Sequence, residues 1–145
     1  MNTRKGFTLV ELLVVIAILA ILATVSVVGY TSFIDRANMS NAQTEADQIK
    51  SVISNGTMID DYVIIVADDA TTADKNEGIY YVKATGKFTS TKPTTGVAFN
   101  GTSEVAELVA KGAKVELDET NNKLFYTNFG YKVDVMARTA TKDSK

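Results

Sequence analysis

Glu11 is the one charged side chain between Lys5 and Asp35. It stands near the start of an apolar run long enough to cross a bilayer as a helix. An ionised carboxylate without a partner is costly there, so this residue calls for a functional explanation. The nearest cations, Arg4 and Lys5, come just before it, followed by Gly6. Elsewhere the side chains able to do chemistry are carboxylates, in clusters at Asp60-Asp61, Asp68-Asp69 and Asp118-Glu119-Thr120-Asn121-Asn122. These offer oxygen ligands of the kind calcium takes, but none has a recognised ligand spacing, and solvated loop or turn is the stronger reading. The chain has neither histidine nor cysteine. That excludes disulfides, thiolate metal sites and every Ser-His or Cys-His nucleophile. No metal site, cofactor or catalytic residue is expected, and the chain does not read as an enzyme.

The element that must position Glu11 is the run itself, from Phe7 through Leu12-Leu13-Val14-Val15-Ile16 to Val28. It is about twice the usual signal-peptide core, with no small-x-small cleavage site after it. A plain membrane anchor fits, with Arg4 and Lys5 orienting it N-terminus in. In an anchor, a first-turn glutamate is favoured by the helix dipole and can snorkel to the interface. Beyond it Ala37, Ala42, Ala46, Ile49, Val52 and Ile53 recur at three-and-four spacing among polar residues, and no proline interrupts residues 7–55. The pattern predicts one helix of about 48 residues, apolar all round in its first half and amphipathic in its second, stopping at Asn55-Gly56. Tyr30 and Phe33 read as interface anchors or simple packing.

Residues 57–145 predict a small β-rich domain. Residues 62–66 read as a buried strand or short helix, and 68–77 as a polar loop. Strands are expected at 79–82 and 88–89 around Thr85-Gly86, at 114–117, 124–129 and 131–136, with a turn at 119–122 and a tight turn or bulge at Gly130. A short helix is expected over 102–110. The polar tail 138–145 is expected to fray. The fold class is α+β, a long helix whose amphipathic half packs on a small antiparallel sheet. Asn-x-Ser/Thr triplets at Asn38, Asn55 and Asn100 are short enough to arise by chance. The formal charge of -2 and scattered lysines argue against non-specific nucleic-acid binding.

Gly6-Phe7-Thr8-Leu9-Val10-Glu11, behind Arg4-Lys5, closely resembles the class III leader junction of type IV pilins and type II secretion pseudopilins. The resemblance covers residues 4–30. It implies that residues 1–6 are a leader removed by a prepilin peptidase between Gly6 and Phe7, and that Phe7 becomes the N-methylated first residue. It further implies that Glu11 pairs with the amino terminus of a neighbouring subunit. Residues 7–28 would then form the transmembrane and filament-core helix, 29–56 its amphipathic continuation, and 57–145 the globular domain. The implied partners are copies of the chain in a helical polymer, the peptidase, an assembly platform with its ATPase, and the cytoplasmic membrane before export to the cell surface. Many family members have proline where this chain has Val28 and glycine where it has Ala20, and many Gram-negative members carry a C-terminal disulfide. The absence of that disulfide leans toward Gram-positive pilins, and many pseudopilins lack it too. The roles weighed are major pilin, then pseudopilin or minor pilin, then a monomeric membrane-anchored ligand-binding domain.

Overall fold

The computed structural model describes residues 6–66 and 78–143. The expected polar loop at 68–77, with Asp68-Asp69, and the basic pair Arg4-Lys5 lie outside the described residues. The chain divides into two compact units, residues 1–37 and 38–145.

In the first unit every described residue up to Ile34 is exposed. Helix α1 (Leu9–Ile59) begins here, and its apolar part is long and apolar enough to cross a membrane. The hydroxyls of Thr24, Ser26 and Thr31 donate back to the carbonyls of Ile21, Leu22 and Val28 at 2.7, 2.7 and 3.0 Å. Polar atoms that would be costly in hydrocarbon are thus satisfied within the helix. The helix continues through Gly29 without interruption.

The second unit is built on the amphipathic turns of α1 and two four-stranded sheets. One sheet has the order β3-β2-β1-β4, from β1 (Tyr62–Val66), β2 (Ile79–Val82), β3 (Lys87–Thr89) and β4 (Ala98–Asn100). The other runs β5-β6-β7-β8, from β5 (Lys114–Asp118), β6 (Lys123–Asn128), β7 (Tyr131–Asp134) and β8 (Ala140–Lys142). Helix α2 (Thr102–Ala110) connects them. Ala42, Ala46, Ile49 and Ile53 repeat at helical spacing and are buried with Val63, Ile65, Leu124, Tyr126, Val133 and Val135. The α+β architecture, with the helix on small sheets, is the one the hydrophobic periodicity predicts.

Four details differ from the sequence reading. The helix does not stop at Asn55-Gly56 but runs to Ile59. Gly56 is buried, and a Cβ there would come within 2.5 Å of Val63 Cγ2 and 2.7 Å of Phe99 Cδ1. Glycine is therefore needed for close approach of the helix to β1 and β4, not for termination. The single antiparallel sheet is two sheets, and one is mixed, because β4 pairs with β1 in parallel. Residues 98–100, too short to announce themselves, supply β4, and Ala98 and Phe99 are half-buried beside the helix. The tail is not all frayed, since β8 pairs with β7 and Asp143 N–H donates to Gly130 O.

The turn after β5 does more than reverse the chain. Asn122 accepts from Phe88 N–H at 2.8 Å and donates to Gly86 O at 3.1 Å. Glu119 accepts from Ser90 N–H, and that bond holds its carboxyl below the usual range. This strap ties the outer strand of the mixed sheet to the antiparallel one and covers an otherwise open edge. Asn122 also adopts φ 54, which asparagine tolerates and alanine resists. Asn122→Ala should lower stability by about 2–3 kcal/mol, read as a fall in the thermal midpoint of the detergent-solubilised chain. An unchanged midpoint would refute the strap.

Candidate functional site

Thr8 is the last non-helical residue before α1, and Glu11 is the third residue of the helix. Glu11 Oε2 accepts from both the backbone N–H and the hydroxyl of Thr8, each at 2.9 Å. The Thr8 hydroxyl in turn accepts from Glu11 N–H at 3.3 Å. This reciprocal pair is a capping box, which satisfies donors that a helix start leaves orphaned. The carboxylate also opposes the positive end of the helix dipole. Among the described residues Oε1 accepts no hydrogen bond, so one carboxylate oxygen is held in place while the other stays available. The spacing Thr8-x-x-Glu11 is the signal that reveals this. Thr8 is easily missed in the sequence, because the helix dipole and a partner amine each account for Glu11 without a local side-chain partner.

Gly6 and Phe7 precede the helix in exposed, irregular backbone. Phe7 is 85% exposed, and a side chain on Gly6 would meet nothing within 4 Å. The peptide bond between them lies outside the helix, ahead of the cap formed by Thr8 and Glu11. After Glu11, Leu12, Leu13, Ile16, Leu19 and Leu22 are all more than half exposed. Tyr30 and Phe33 are also exposed, each 68%.

Among the described acidic clusters, Asp61 and Asp118 are bonded within the unit. Asp61 accepts from Val97 N–H at 2.9 Å. Asp118 accepts from the backbone and side-chain amides of Asn121, which draws its carboxyl below the ordinary value. Among the described residues no three acidic groups are placed to share a metal ion. Glu45 on α1 accepts from the Tyr126 hydroxyl and, at 3.0 Å, from Asn128 Nδ2. Burial, then the adjacent Glu45, pushes the Tyr126 phenol well above its usual range. Buried Asp134 accepts from Met136 and Ala137 N–H groups and pairs with Lys123 at 3.3 Å. These groups join helix to strand and fix a turn. Asn38 and Asn55 lie within α1, and Asn100 Oδ1 accepts from Thr102 N–H and hydroxyl at the entry to α2.

The family model described as the prokaryotic N-terminal methylation motif matches residues 1–27. The chain is similar to a fimbrial protein of Moraxella nonliquefaciens, 35% identical over 130 residues that cover 86% of this chain and 84% of that one. It is also similar to a type IV major alpha-pilin of Moraxella bovis, 28% identical over 129 residues, covering 83% and 77%. No solved structure matches it.

Proposed function

The chain belongs to the type IV pilin superfamily, and from that premise we propose that it is the repeating structural subunit of a surface filament. One observation carries the choice of a filament subunit over a generic anchored protein. The likeness to proteins named as fimbrial protein and major pilin spans more than four fifths of the chain, far beyond the N-terminal motif. The same names favour a major pilin over a pseudopilin or minor pilin. The Gram-positive leaning rests on the absent cysteines alone.

In this reading residues 1–6 are a leader, cut between Gly6 and Phe7 by a prepilin peptidase that then methylates the Phe7 amine. Residues 7–28, ~33 Å long as a helix, hold the chain in the cytoplasmic membrane, N-terminus in. The division continues with 29–56 as amphipathic helix and 57–145 as the globular part, the helix itself reaching Ile59. Lipid covers the exposed apolar surface before assembly, and copies of the same surface replace lipid afterwards. An assembly platform and its ATPase lift each subunit out of the bilayer.

Cleavage creates a positive amine at the head of an apolar helix, where unpaired charge is expensive. Glu11 of a neighbouring copy supplies the opposite charge, and misregistered subunits leave both charges unpaired. The capping box supports this role, because Thr8 fixes Glu11 through Oε2 and leaves Oε1 for the incoming amine.

Mass spectrometry of the mature protein tests the leader, with N-methylated Phe7 as the expected first residue. An intact Met1 or a cut elsewhere refutes the reading. Electron microscopy of sheared surface material separates the roles. Abundant long fibres of this chain fit a major pilin, scarce or tip-located copies a minor role, and membrane-only material a monomeric anchor.

A further inference from the structure

Phe129 is held where its residue type does not belong. Asn128 pairs with Tyr131 across a two-residue turn, and both turn residues have positive φ, 53° at Phe129 and 77° at Gly130. Asparagine or glycine suits the first position of such a turn; a bulky side chain in the left-handed region costs on the order of 1–2 kcal/mol. The core does not take up the ring, since Phe129 remains 41% exposed. Its ring borders a cleft of about 320 Å³ lined also by Gly112, Lys114, Thr127 and Asp143. Backbone strain at an exposed apolar side chain points to contact with another molecule.

A second uncovered apolar feature lies at the other end of the globular unit. Met58, Ile59 and Val97 are 77, 71 and 62% exposed. Met58 and Ile59 end α1, and Val97 is tied to Asp61 just beyond it, the Asp61 N–H donating to Val97 O while its carboxylate accepts from Val97 N–H. The hydrogen bond from Asn128 to Glu45 fixes the Phe129 hairpin near the Glu45 level of α1. Ile59 follows about fourteen residues later, roughly 20 Å along the helix.

We propose that the Phe129 hairpin of one copy packs head-to-tail on the Met58, Ile59 and Val97 corner of the next copy. This rests on the filament reading and names the globular contact within it. Two different patches at opposite ends complement each other between copies that point the same way, which is the geometry of an open fibre. Lys114 at the hairpin end also meets Asp60 and Asp61 at the corner. The apolar area falls well below the ~800 Å² a side that a stable pair requires, so the contact forms in the polymer and not between free monomers.

The native chain has no cysteine, which makes thiol crosslinking clean. Full-length Phe129→Cys and Ile59→Cys variants are co-expressed, and sheared fibres are treated with a short thiol–thiol crosslinker. A covalent dimer is expected from fibres containing both variants and absent from fibres of either alone. Mixed fibres that give no dimer overturn the contact. Phe129→Asn provides a second test independent of engineered thiols. It should raise the melting temperature of the solubilised monomer by a few degrees while lowering the temperature at which fibres dissociate. Fibres as heat-stable as wild type overturn the proposal. If the wild-type chain forms no fibres at all, the filament reading itself fails, and this contact fails with it.

Discussion

Glu11→Ala is expected to abolish surface filaments while the full-length chain still inserts in the membrane. Two losses coincide in that variant. The helix start loses its cap, about 1 kcal/mol, and under the proposed pairing each assembling subunit buries an amine with no counter-charge. Breaking a buried ion pair costs about 3–5 kcal/mol, a factor of roughly 10²–10³ in each association step, since ~1.4 kcal/mol is tenfold. Repeated along a polymer, that cost leaves no fibres to shear off. Glu11→Gln separates the two terms. Its amide oxygen can still accept from the Thr8 N–H and hydroxyl, so the cap survives without the charge. Immunoblots of the sheared and membrane fractions should show both variants at wild-type level in the membrane and neither in the sheared material. Normal fibre yield from Glu11→Gln would reduce Glu11 to a helix cap.

Gly56→Leu should prevent the globular unit from folding, and Gly56→Ala should weaken it. In an ordinary helix interior Gly→Ala stabilises by about 1 kcal/mol. Here the added Cβ meets Val63 Cγ2 at 2.5 Å and the Phe99 ring at 2.7 Å. Val63 is fully buried and β-branched, so its methyl has nowhere to rotate. Overpacking of this kind costs about 1–3 kcal/mol for the smallest addition. Set against the helix gain of about 1 kcal/mol, the net expectation for alanine is a loss of up to about 2 kcal/mol, a fall in melting temperature of roughly 4 °C per kcal/mol for a unit this size. Leucine adds three more carbons to a filled space, against a total stability of about 5–15 kcal/mol. The solubilised Gly56→Leu chain should therefore show no cooperative thermal transition. Gly29 is the control, because a Cβ there meets nothing within 4 Å, and Gly29→Ala should gain helical stability. A Gly56→Ala chain that melts at or above wild type would refute the close-packing account.

The sequence was most legible where one local rule governs. The bounds of β2 and α2 match their patterns, and so does the positive φ of Gly86 and Gly130, because alternation, glycine and short apolar runs act over a few residues. The core face of α1 was readable from the spacing of Ala42, Ala46, Ile49 and Ile53 for the same reason. Legibility failed where a residue answers to something distant in sequence. Gly56 looks like a helix stop until Val63 and Phe99 are seen against it. Asn122 and Glu119 look like a solvated acidic turn, yet their partners are backbone groups of residues 86–90. Three-residue strands such as β4 carry too few alternations to register. At the N-terminus the apolar run identified Glu11, while the local partner Thr8 was hidden by attention to charge.

Strand β1 follows α1 after only Asp60 and Asp61, and it is bonded on both flanks, to β2 and to β4. Tension carried by the helix meets the globular unit first at the packed face of Ala42, Ala46, Ile49 and Ile53, and behind that face at an interior strand. The ladder bonds on its two sides share that load at once, as rivets in shear do, whereas an edge strand can be peeled one bond at a time. Resistance to a pull is set by the height of that barrier and not by equilibrium stability. The same short joint that ends the helix thus backs its packed face with a strand held on both sides.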